Sequence, residues 1–133
     1  MIKTTLKTWH KMLEAKDYSL LPGLLADDVV FHSPVVHTPQ EGKAITTLYL
    51  SAATDVLGGE AFHYLREVVD GRHAILEFQT EIDGITINGV DMISVDDQGL
   101  ITDFKVMVRP LKAINLVHQK MGEMLQKMAP KAS

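Results

Sequence analysis

The sequence predicts an α+β fold in a single domain spanning residues 1–133. Three observations carry this. Helical periodicity is confined to the N-terminal segment, one central stretch and the C-terminus. A period of two occupies residues 61–108, and turn signals interrupt that run at short intervals. Helices and strands are thus segregated, which marks α+β rather than alternating α/β. The 133 residues suit one core, and the 46% hydrophobic and 23% charged shares are those of an ordinary globular protein.

The first element is a helix, because Ile2, Leu6, Trp9 and Leu13 fall on one face while Lys3, Lys7, Lys11 and Glu14 take others. Asp17 is placed to cap a short second helix carrying Tyr18, Leu21, Leu24 and Leu25, closed by Asp27 and Asp28. Val29 to Ser33 is β-branched and aromatic and reads as a strand stopped by Pro34. The stretch from Pro34 to Gly42 reads as loop. Ile45, Leu48, Ala52 and Val56 mark a third helix, with Gly58-Gly59 expected as its left-handed cap. Four strands follow near 61–69, 73–82, 85–96 and 100–108, separated by Asp70-Gly71, Asp83-Gly84 and Asp97-Gln98-Gly99. Asp-Gly between extended runs signals a tight hairpin, so the strands form an antiparallel meander. Arg109-Pro110 opens a last helix with Ile114, Val117, Met121, Met124 and Met128 on one face, and Pro130 ends it.

Composition removes several function classes. The net charge of −4 with scattered lysines and arginines argues against a nucleic-acid partner. The absence of cysteine excludes disulfides, thiolate catalysis and Cys-ligated metals. Met1 to Lys7 lacks the apolar run of a signal peptide, and no stretch approaches the length of a membrane span. The expectation is a cytoplasmic protein with no membrane partner.

One residue breaks the strand pattern. In a regular strand over 85–96, Ile85, Ile87, Gly89, Asp91, Ile93 and Val95 share a face that is apolar except for Asp91. Desolvation raises the pKa of an acid, so an inward Asp91 would keep its proton near neutral pH and donate a hydrogen bond. A bulge at Gly89 would instead turn Asp91 outward. A similar ambiguity holds near residue 64, where Phe62, Tyr64 and Val68 compete with His63, Leu65 and Val69 for the inner face.

Several segments resemble a known superfamily. Ala15-Lys16-Asp17 through Leu24 to Pro34, Glu41-Gly42-Lys43, Asn88-Gly89-Val90-Asp91, and Asp97 to Ile101 followed by Val108-Arg109-Pro110-Leu111 occur in the order and separations of nuclear transport factor 2-like proteins. The ending is similar to the SnoaL-like polyketide cyclase and ketosteroid isomerase branch. The resemblance implies a cone: a strongly curved sheet wrapped around N-terminal helices, enclosing an apolar pocket, with a C-terminal helix. Trp9, Leu13, Phe31, Ser33, Phe78, Ile93, Phe104 and Val106 are the expected pocket residues. In the ketosteroid isomerase branch a first-helix tyrosine and a protonated strand aspartate form an oxyanion hole, and an aspartate after the first strand is the base. By position these fall on Trp9, Asp91 and Ser33, of which only Asp91 is kept. Steroid isomerisation by the family's mechanism is therefore not expected.

Asp91 is the first candidate catalytic residue. His32, beside the position of the missing base, is the second, although alternation with Phe31 directs it outward. His32, His37 and His63 share no metal-ligand spacing, and neither a metal nor a cofactor is implied. His10, His73 and His118 read as surface or interface residues. The methionines of the last helix suit either the core or the cover of a pocket mouth or partner. The resemblance implies a homodimer through the outer sheet face, where Val90 and Met92 are apolar. The partners expected are a second copy of the chain and a small apolar molecule. Three functions follow: an enzyme using Asp91 as acid, a binding protein for a similar compound, or an interaction module.

Overall fold

Helix α1 (Ile2–Ala15) forms where the apolar spacing predicts it and buries Ile2, Leu6, Trp9 and Met12. The structure, a computed structural model, describes residues 1–128. The helix ends at Lys16, whose backbone takes the left-handed conformation. Asp17 caps as expected: its carboxylate accepts the Ser19 N–H at 3.1 Å. The segment it caps is shorter than its leucines suggest. It is a 3₁₀ turn at Tyr18–Leu20 and one helical turn, α2 (Leu21–Leu24). Leu25 already belongs to strand β1 (Leu25–His32), so Asp27 and Asp28 lie in the strand and do not close a helix.

The loop after β1 holds a two-residue strand, β2 (Gln40–Glu41), before α3 (Lys43–Leu57). The side of α3 that packs inward is rotated from the expected stripe. Thr46, Leu50, Ala52, Thr54 and Leu57 are buried, while Ile45, Leu48 and Val56 are half-buried flanks. Gly58 stops the helix without a left-handed backbone. Glycine is needed there for space, because a Cβ would collide with the Thr54 carbonyl, which accepts the Gly58 N–H at 2.8 Å.

Strands β3 (His63–Asp70), β4 (His73–Ile82), β5 (Ile85–Val95) and β6 (Ile101–Arg109) form the predicted meander. The whole sheet has the order β2-β1-β6-β5-β4-β3. It is mixed rather than wholly antiparallel, because β1 pairs with β6 in parallel. Helix α3 and the strands from β2 to β5 lie between β1 and β6 in the chain and supply the long connection that such a pair requires. Register shifts fall at Leu25/Val30, Tyr64/Arg66 and Ser94/Val95, and irregularities of this kind bend a sheet.

Helix α4 (Leu111–Met128) buries Ala113, Val117 and Met121, and Met124 and Met128 pack against the core at its edge. Pro130 lies outside the described residues. The concave face carries Phe31, Phe78, Leu76, Ile87, Ile93 and Phe104, all nearly inaccessible. The opposite face leaves Val68, Ile75 and Met107 exposed. No helix among the described residues is long and apolar enough to cross a membrane.

Candidate functional site: a cavity around Asp91

A cavity of about 350 Å³ lies between the concave face and helices α1, α3 and α4. Trp9, Leu13, Phe31, Phe78, Phe104 and Val106 line it, joined by Leu50, Phe62, Tyr64, Val117 and Met121. The aromatic residues pack on one another, with Trp9 and Phe104 ring centroids 5.2 Å apart and Phe62 stacked on Phe78 at 5.4 Å.

Asp91 borders this cavity and is 6% exposed. Its inward direction follows from β5, which pairs with β4 without a register shift from Ile85 to Ser94. No bulge occurs at Gly89. That glycine answers a packing demand: a Cβ there would come within 2.5 Å of both the Phe78 ring and the Met107 carbonyl. The ring of Phe78 uses the space, and the strand stays regular enough to aim Asp91 inward.

Two neighbours organise the carboxyl. The Tyr64 hydroxyl donates to Asp91 Oδ2 at 2.8 Å, and Trp9 Nε1–H donates to the Tyr64 oxygen at 3.0 Å. The chain of donors therefore runs in one direction, from indole to phenol to carboxyl. Oδ1 of Asp91 accepts no hydrogen bond from the described residues. Burial pushes the Asp91 pKa up to about 7, against the smaller opposing effect of the Tyr64 hydrogen bond. Burial also pushes the Tyr64 phenol well above its ordinary range, and the nearby Asp91 charge adds to this. Near neutral pH a large fraction of Asp91 thus carries a proton. With Oδ2 occupied by Tyr64, that proton is available on Oδ1 for a bound molecule.

Ile93, Ser33 and His32 do not border the cavity. Ile93 faces inward two residues beyond Asp91 but is packed within the core. Ser33 follows the last residue of β1, and its Oγ accepts the Val35 N–H at 3.2 Å; Pro34 reaches the cavity instead. His32, the second candidate catalytic residue, lies on the face away from the cavity. Strand alternation sends it away from Phe31, and its Nε2 lies 3.0 Å from Asp103 Oδ2 on β6.

Sequence reasoning did not select Tyr64, His10 or His63, yet all three line the cavity. The register shift between Tyr64 and Arg66 explains the ambiguity in β3. Before the shift Tyr64 faces inward opposite Phe78. After it Glu67 and Val69 face inward, opposite Leu76 and Ala74. Each of the two competing alternations holds on one side of the irregularity. Among the described residues no three His, Asp or Glu side chains gather into a candidate metal site.

The sequence profile of the family described as SnoaL-like domain matches residues 6–104. A steroid delta-isomerase from Pseudomonas aeruginosa is 37% identical, with a TM-score of 0.91 over 96% of this chain and 93% of that one. A protein with a cystatin-like fold from Silicibacter pomeroyi is 31% identical, with a TM-score of 0.82 over 90% of this chain and 83% of that one. An NTF2-like protein from Mesorhizobium loti shares the fold at 20% identity, with a TM-score of 0.71 over 82% of this chain and 91% of that one. A search of curated proteins finds no significant match. The profile covers most of the chain and two solved structures exceed 30% identity, so this protein belongs to the SnoaL-like domain family of the nuclear transport factor 2-like superfamily.

Proposed function

We propose that the protein holds a small apolar compound in this cavity, and that protonated Asp91 donates a hydrogen bond to a carbonyl or hydroxyl oxygen of that compound. The reaction class that fits is isomerase- or cyclase-type proton transfer. The carrying observation is the carboxyl itself: buried, with one oxygen committed to Tyr64 and the other left to the cavity. The steroid delta-isomerase among the similar structures supports the same class. A neutral acid aimed at a developing oxyanion stabilises charge without reorganisation, which is an efficient form of catalysis.

Calorimetric titration with trans-2-decalone from pH 5 to pH 9 tests the reading. Affinity is expected to hold below about pH 7 and then to fall up to tenfold per unit, because an ionised Asp91 no longer donates and repels a carbonyl oxygen. Asp91→Asn keeps an acceptor for Tyr64 and should make the profile flat. A wild-type affinity independent of pH, or decalin binding as tightly as decalone, would sink the proposal.

A second reading is a carrier with no turnover. It is favoured by Ser33, which offers no basic group at the position of the family's base and is engaged in a turn. Incubation with a Δ5-3-ketosteroid separates the two: binding without double-bond migration supports the carrier. We also infer a homodimer across the exposed face carrying Val68, Ile75 and Met107. Light scattering at the mass of a single chain would refute it.

A further inference from the structure

Proton transfer at carbon needs an acceptor as well as the acid at Asp91, and the β1 side of the cavity supplies none. Two histidines line the cavity elsewhere, His10 and His63. They are held differently. His63 Nδ1 lies 2.9 Å from the Ala61 carbonyl, a neutral acceptor. His10 Nε2 lies 2.7 Å from Glu67 Oε1, a carboxylate. An ionised carboxylate only accepts, so His10 carries its proton on Nε2 and leaves Nδ1 as the basic nitrogen of the neutral ring.

Glu67 is on the concave face because of the β3 irregularity. It stands opposite Leu76, which stands opposite Asp91. The two carboxyl-bearing residues thus occupy one cross-strand row, two strands and roughly 10 Å apart at the backbone. His10 follows Trp9 on α1, and its ring meets the Tyr64 ring edge to face, with centroids 5.1 Å apart. Along this wall run an acid with a phenol donor and, next to the phenol, an imidazole with a carboxylate behind it. Glu14 borders the same wall, and Lys7 and Lys11 border the groove on the outer side of His10.

We propose that His10, oriented by Glu67, is the general base of this cavity, and that it removes a proton from the carbon next to a carbonyl whose oxygen Asp91 holds. This rests on the function proposed above. The C–H bond breaks and its electron pair forms a C=C bond. The carbonyl π pair moves to oxygen, giving an enolate that accepts the Asp91 hydrogen bond. The proton goes to His10 Nδ1, and Glu67 stabilises the imidazolium. Return of that proton to a conjugated carbon completes an isomerisation; its replacement on His10 by a solvent proton before return to the same carbon completes an exchange, and neither involves net redox change. Glu67 acts through His10 and is a positioning residue.

The test is hydrogen–deuterium exchange at the α carbons of trans-2-decalone in D₂O, followed by proton NMR, with decalone affinity measured in parallel. The wild type should accelerate exchange over buffer. His10→Gln should lower kcat by about 10²–10⁴-fold with decalone affinity within about threefold of wild type. Glu67→Gln should lower kcat by about tenfold at unchanged KM, a split that lost packing would not produce. Decalone that binds the wild type without exchanging, exchange unaffected by His10→Gln, or exchange abolished by His63→Ala but not by His10→Gln would each overturn the base assignment alone. Failure of decalone to bind would instead overturn the function on which it rests.

Discussion

Strands β5 and β6 are neighbours, and each carries an aspartate paired with a ring-bearing side chain. Asp91 on β5 accepts from Tyr64 on the concave face, and Asp103 on β6 meets His32 on the opposite one. The contact distances are similar, 2.8 and 3.0 Å. Exposure separates them: Asp91 is 6% accessible, while the side chains of Asp103 and His32 are 42% and 27% accessible. Water screens the outer pair, as it does the similarly exposed His10–Glu67 pair, so neither contributes much stability; the outer pair also borders no cavity. The inner carboxyl has lost its water, so its protonation responds to burial. The same residue type becomes a poised acid or a solvated charge according to which side of one sheet it takes.

The largest expected effect concerns stability against pH. The Asp91 pKa is raised to about 7 in the folded protein from an ordinary 3.8. Between roughly pH 4 and pH 7 the unfolded chain releases a proton that the folded chain keeps, so stability falls as pH rises through that window. The stabilising contribution is complete below about pH 4 and lost above about pH 7. Three pH units correspond to about 4 kcal/mol as an upper limit. Asp91→Asn should therefore gain on the wild type by about 2–4 kcal/mol at pH 8 and show no such gain at pH 4. Urea unfolding of both proteins at the two pH values checks this. An equal difference at both would mean that Asp91 titrates like a surface acid.

A smaller effect concerns the strand that aims Asp91. Gly89→Ala places a methyl against the Phe78 ring and the Met107 carbonyl, and overpacking of this kind costs about 1–3 kcal/mol. Gly59→Ala meets nothing within 4 Å and should be close to neutral. Thermal unfolding of the two variants side by side gives the answer. If Gly89→Ala is neutral, β5 can yield locally, and the direction of Asp91 is less firmly held than its register implies.

Much of this site is legible in the alternation of β5. Ile85, Ile87, Asp91 and Ile93 fall on one face by period alone, and the structure keeps that period. Trp9 and Leu13 are legible from helical spacing, and Phe31, Phe78, Phe104 and Val106 from strand spacing. Tyr64 and Glu67 are not legible. Their common direction depends on a register shift between Tyr64 and Arg66, and no glycine or proline stands in the strand to announce it. His10 is hidden for a different reason. Its position on the flank of α1 looks like a solvated face until Glu67 is known to stand opposite. The parallel pairing of β1 with β6 is equally silent, because it joins residues some seventy positions apart with no local turn signal.

The smallest expected effect lies at the outer pair. His32→Asn removes the imidazole facing Asp103, and Asp103→Asn removes the carboxylate. Half-exposed pairs of this type contribute about 0–1 kcal/mol, so each variant should unfold within about 0.5 kcal/mol of the wild type at pH 7. Decalone affinity and its dependence on pH should be unchanged in both, because neither residue borders the cavity. The measurement has force in the other direction. Loss of decalone affinity in His32→Asn, with unfolding unaltered, would couple the outer face of β1 to the cavity. A contribution from His32 would then reach the site through Phe31, the adjacent residue on the same strand and the one that forms part of the cavity wall. An unchanged affinity leaves the acid chemistry on the concave side of the sheet, where burial rather than pairing sets the state of the carboxyl.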